Sequence, residues 1–163
     1  MASIPSDPRD TRIHDLFRAQ QTATPQATAL IQGEQRITYA ELEHLSNAVA
    51  DRFRAIGVGQ GEVVVVLSQR SVEAIVAMLA ILKVGASYAT LDPTYPPEHL
   101  RLAFASCSPR LLLWGATAED GAQALVARHP VPHGHALATL VGDARAGVGN
   151  GGQHHVQPNG SGG

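Results

Sequence analysis

The chain has 163 residues, 44% of them hydrophobic and 16% charged, with a formal net charge of −2. That size fits one domain, or part of one, with a real core, and so small a charge leaves no basic footprint for nucleic acid and no polybasic patch for anionic lipid. A single cysteine, Cys107, excludes an intrachain disulfide framework and fits a reducing compartment.

Residues 1–10 are polar and contain proline, and they read as a disordered leader rather than a secretory signal. Ile13, Leu16 and Phe17 have the spacing of one face of a short helix within Thr11–Gln21, which Thr24-Pro25 breaks. Thr28–Gln32 and Gln35–Tyr39 flank Gly33-Glu34 as a small hairpin. Thr38 can then cap a helix, with Glu41 placed to reach back in a capping box. Leu42, Leu45, Val49, Phe53 and Ile56 follow at helical spacing, and Gly57 closes the element.

Glu62–Leu67 is an unbroken β-branched run, the pattern of a strand covered on both faces. Ser71–Lys83 is apolar on nearly every side and predicts a buried helix with Ser71 as N-cap and Gly85 just beyond its end. Its apolar run, Val72–Leu82, is interrupted by Glu73 and is too short to cross a bilayer, so no membrane association is expected and the chain reads as cytoplasmic. Ser87–Leu91 is the next strand. Pro96-Pro97-Glu98 opens a helix with Leu100, Phe104 and Leu102 as its inner face. Arg110–Trp114 reads as a strand and Glu119–Arg128 as a helix. The alternation predicts an α/β layer, doubly wound on a mostly parallel sheet, over residues 11–128. Residues 129–163 read as a Gly/His-rich disordered tail, since eight glycines fall between Gly142 and Gly163.

Thr38-Tyr39-Ala40-Glu41-Leu42, then Leu82–Asp92 and its continuation Pro93-Thr94-Tyr95-Pro96, Glu98 and Leu100, resemble two opening motifs of the adenylation domain of nonribosomal peptide synthetases, in the AMP-binding, adenylate-forming family. The usual form of the second motif is close to LKAGAAYVPLD; here Val84, Ser87 and Thr90 depart from it, and His99 stands where Arg is usual. The resemblance covers about residues 12–115. It implies a partial N-terminal portion of such a domain, in which Thr38, Tyr39, Glu41, Leu42, Lys83, Gly85, Tyr88, Asp92, Pro93, Tyr95 and Pro96 are structural. A complete domain would take ATP, Mg²⁺ and an amino acid to an aminoacyl adenylate and load the phosphopantetheine of a carrier protein.

That chemistry needs a mobile Ser/Thr/Gly-rich phosphate loop, a metal on the phosphates and a cation at the developing charge. Asn159–Gly163 is Gly/Ser-rich but lacks lysine and threonine, no Walker-type loop occurs, and Lys83 is the single lysine. No catalytic, cofactor-binding or metal residue is therefore assigned. The expected role is a truncated adenylation domain that is catalytically incompetent alone, with the remainder of the synthetase or a complementing chain as partner. The alternative is a non-catalytic binding or assembly module, or half of a split adenylating enzyme. His133-Gly134-His135 and His154-His155 could hold a transition metal weakly, against a solvated tail. Cys107 with His99 could be a nucleophile pair, against an inert thiol. Ser68 and Ser71 follow a buried strand where α/β folds bind ligands, against a simple helix cap.

Overall fold

A computed structural model describes residues 13–149; the leader expected at 1–10 and the Gly/His-rich residues 150–163 lie outside the described residues. The elements run α1 (Ile13–Ala23), β1 (Thr28–Gln32), β2 (Gln35–Thr38), α2 (Tyr39–Ala55), β3 (Val63–Leu67), α3 (Val72–Lys83), β4 (Ser87–Leu91), α4 (Pro97–Cys107), β5 (Leu111–Trp114), α5 (Glu119–Arg128), β6 (His133–Ala136) and α6 (Leu137–Gly149). β1 and β2 form an antiparallel hairpin around Gly33 at φ 59°. The other four strands form one parallel sheet in the order β4-β3-β5-β6.

The valine run of β3 explains the layering. Side chains alternate across a strand, so Val64 and Val66 join one core with Leu111, Leu113, Phe53 of α2, Ile81 of α3 and Leu140 of α6. Val65 and Leu67 join a second core with Leu112, Phe104 of α4 and Leu125 of α5. A strand apolar on both faces must be covered twice. α3 and the pair α4–α5 therefore lie on opposite faces, which is the doubly wound arrangement.

Two expectations are corrected. Leu102 is 56% exposed and does not join Leu100 and Phe104 on the inner face of α4. Order also does not stop at Arg128, because β6 and α6 carry the fold to Gly149. Leu137, Leu140, Val141 and Ala144 recur at i, i+3, i+4 and i+7 and are buried on the α2–α3 core, and Gly142 and Gly147 would each meet open space with an added Cβ. That apolar stripe offsets the low helix propensity of the glycines.

Left-handed backbone closes three helices, α2 at Gly57 with φ 83° and then α3 and α4. Gly85 follows α3 at φ 79°, a conformation that suits glycine, while Ser108 ends α4 at φ 45°, ψ 57° with a side chain attached. Opposite effects follow from the same geometry. Ser108→Gly raises stability by about 0.5 kcal/mol, the relief of left-handed strain less the added chain entropy. Gly85→Ala lowers it by roughly 1 kcal/mol. Urea unfolding of the two variants beside the parent checks both signs.

Candidate functional site

The motif residues gather at two places. The first is the contact between α2 and α3. Thr38 Oγ1 accepts from the Glu41 N–H at 3.1 Å and so caps α2; the carboxylate of Glu41 makes no return bond to Thr38 among the described residues, leaving half a capping box. Tyr39 begins the helix with its ring 5.6 Å from that of Phe17, and Leu42 is buried one turn on. Lys83 is the last residue of α3, where a cation meets the negative end of the helix dipole. Its Nζ also reaches 2.8 Å to each of Glu43 Oε2, Ser46 Oγ and Asn47 Oδ1 on α2.

Those three acceptors use all three N–H bonds of an ammonium. The side chains of Lys83 and Glu43 are only 5% and 16% exposed. Burial draws the Lys83 amine below the usual lysine range, and the hydrogen bond and charge of Glu43 oppose that pull. Ser46, fully buried, donates onward to the Leu42 carbonyl at 2.7 Å, so each polar atom of the clasp is partnered. Lysine has no donor left for a phosphate.

The second place is the turn after β4. Asp92 Oδ1 accepts from the Thr94 N–H at 2.8 Å and from its hydroxyl at 2.7 Å, which holds the carboxyl below its ordinary range. Pro93 and Tyr95 line an open cleft with Leu100 and Leu125. Tyr88 on edge strand β4 and Tyr95 are 38% and 56% exposed. Pro96 precedes α4, and its carbonyl accepts from the Leu100 N–H at 3.1 Å.

An α/β sheet of this order binds ligands outside the strand C-termini, where successive connections diverge to opposite faces. Here that point lies between β3 and β5. A cleft of about 270 Å³ opens there, lined by Ser68, Gln69, Arg70, Ser71, Gly115, Ala116 and Thr117, with Gln32 from the hairpin. Two of its side-chain acceptors and one hydroxyl donor are engaged. Ser71 Oγ accepts from the Ala74 N–H at 3.0 Å, Gln32 Oε1 accepts from the Val72 N–H at 2.8 Å, and the Ser68 hydroxyl donates to the Gln69 carbonyl at 2.7 Å. The N-terminus of α3 is thus capped from within. Arg70 is the single cation of the lining. No group of three or more His, Cys, Asp or Glu that could hold a metal occurs among the described residues. Glu73 is the single carboxylate of that lining.

The remaining candidates separate. Cys107 packs against the α4–α5 core while His99 is exposed on α4, and Ser71 is spent as a cap. Sequence reasoning missed Glu43, Ser46 and Asn47, although Ser46 interrupts the apolar stripe Leu42, Leu45, Val49. It also missed Gly115, where an added Cβ would lie 2.6 Å from Ser68 Oγ, so that the two strand-end loops approach closely there.

Residues 17–155 match the AMP-binding enzyme family. The chain is similar to a linear gramicidin synthase of Brevibacillus parabrevis, 47% identical over 92 residues, which are 56% of this chain and 2% of that protein. It is similar to bacitracin synthase 1 of Bacillus licheniformis, 35% identical over 114 residues, covering 70% of this chain and again 2% of the relative. In fold it resembles a fatty acyl CoA synthetase of Mycobacterium tuberculosis, with TM-score 0.75 and 22% identity over 86% of this chain and 29% of the other. The chain thus spans a small part of the relatives it matches.

The clasp makes a quantitative prediction. Lys83→Met leaves the buried Glu43 carboxylate without its cation and lowers stability by about 3 kcal/mol, whereas Lys83→Met with Glu43→Leu recovers most of the loss. The check is the urea midpoint of parent, single and double variants at neutral pH.

Proposed function

This chain belongs to the AMP-binding enzyme family, and we propose that it is the scaffold portion of a peptide synthetase adenylation domain, with its motif residues serving architecture rather than catalysis. Its relatives are nonribosomal peptide synthetases, multidomain proteins, and the chain corresponds to a fragment of their AMP-binding domain. The observation that carries the reading is the Lys83 clasp. The most recognisable cation of the family-like motif is enclosed between two helices with its three N–H bonds satisfied. Thr38, Gly85 and Asp92 are likewise engaged in a helix cap, a left-handed turn and a turn after a strand.

The complete domain, in this reading, joins an amino-acid carboxylate to the α-phosphate of ATP, releases pyrophosphate and passes the aminoacyl group to a carrier-protein phosphopantetheine. ATP, Mg²⁺ and the carrier engage segments other than these. The partner of this portion is the rest of the synthetase, in one polypeptide or as a complementing chain. The exposed Tyr88 and Tyr95, on and just beyond edge strand β4, favour that association. No helix among the described residues is long and apolar enough to cross a membrane, and with its lone cysteine the chain is proposed to work in the cytoplasm.

Assayed alone, the purified 163-residue chain gives no amino-acid-dependent exchange of pyrophosphate into ATP. Exchange above background with any proteinogenic amino acid would overturn the scaffold reading.

A further inference from the structure

We infer that His133 and His135 form a two-imidazole chelate for a divalent transition ion on the rim of the parallel sheet. β6 is an edge strand, hydrogen-bonded in parallel to β5, with His133 beside Leu111, Gly134 beside Leu112 and His135 beside Leu113. Neighbours in register share a face. Leu111 and Leu113 belong to the core under α2, α3 and α6, and Leu112 belongs to the opposite core. Both histidines therefore stand on the α2–α6 face, about 6.6 Å apart along the strand. Two imidazoles at that spacing can lean onto one ion at the usual metal–nitrogen distance of about 2.1 Å.

Gly134 leaves room on the opposite face for the Trp114 ring. An added Cβ there would lie 3.0 Å from Trp114 Cζ3, so the indole lies close over Gly134. His133 is half-buried and His135 exposed, which leaves the pair open to solvent from one side. His135 lies within electrostatic reach of both His133 and Arg52. Arg52 would oppose a dication, but its guanidinium is 3.1 Å from the Asp143 carboxylate of α6 and is locally neutralised.

The donor set chooses the ion. Imidazole suits Zn²⁺, Ni²⁺ and Cu²⁺, while Mg²⁺ and Ca²⁺ prefer oxygen. No third His, Cys, Asp or Glu joins the pair among the described residues, so water completes the coordination and the site is open and exchangeable. Neither histidine lies in the family-like motifs, and this site is independent of the adenylation reading. A bound ion would tie two positions of a short edge strand whose own residues have little β propensity.

The test is calorimetric titration of the full 163-residue chain with Ni²⁺, and separately with Zn²⁺, at neutral pH. The expected result is one ion per chain. His133→Gln with His135→Gln lowers affinity roughly tenfold or more. His154→Gln with His155→Gln, which removes the other histidine pair, leaves binding in place. His135→Gln alone, at an exposed position, should weaken binding without disturbing the strand, and far-UV circular dichroism checks that it does not. No binding by the parent chain, binding unchanged in the two strand variants, or binding lost with His154 and His155 would each overturn the inference.

Discussion

The structure depends on the central strand β3 being apolar on both faces. Val64 and Val66 require cover from α2, α3 and α6, and Val65 and Leu67 require it from α4 and α5. A strand of this kind is stable only inside a sheet and between helices. That requirement places β4 on one side of it and β5 on the other. It also makes the connections leave toward opposite faces, and it sets the divergent loops at Ser68 and Gly115 against each other. The core, the layer order and the position of the cleft all follow from one pentapeptide.

Within that frame the polar groups are used to hold helices. Lys83 ties α3 to α2, Ser71 and Gln32 close the start of α3, and Asp92 fixes the turn that leads into α4. A group that is buried and fully hydrogen-bonded is costly to redirect toward a ligand. Lys83 is therefore held for the packing of α3 on α2.

Much of this was legible in the sequence, and the misses have physical causes. The valine run, the caps at Thr38 and Ser71, and the proline at the start of α4 are local signals, and the structure places strand, caps and helix there. The clasp was not legible, because Lys83 and Glu43 are forty residues apart and only the packing of α3 on α2 brings them together. The β6–α6 unit was missed for a different reason. Its strand, His133–Ala136, has little β propensity and its helix contains three glycines, so composition argued for disorder. The stripe of Leu137, Leu140, Val141 and Ala144 carried the contrary signal, and tertiary burial decided the outcome. The contact between Ser68 and Gly115 was likewise invisible until β3 and β5 were adjacent.

The central claim is that the motif residues build the scaffold and form no nucleotide site among the described residues. Its most direct test is the thermal midpoint of the 163-residue chain with and without saturating MgATP, because a ligand that binds only the folded state must raise that midpoint. The account predicts superimposable unfolding curves. A saturable rise with ATP, abolished by substituting Lys83 in a form that still folds, would contradict it.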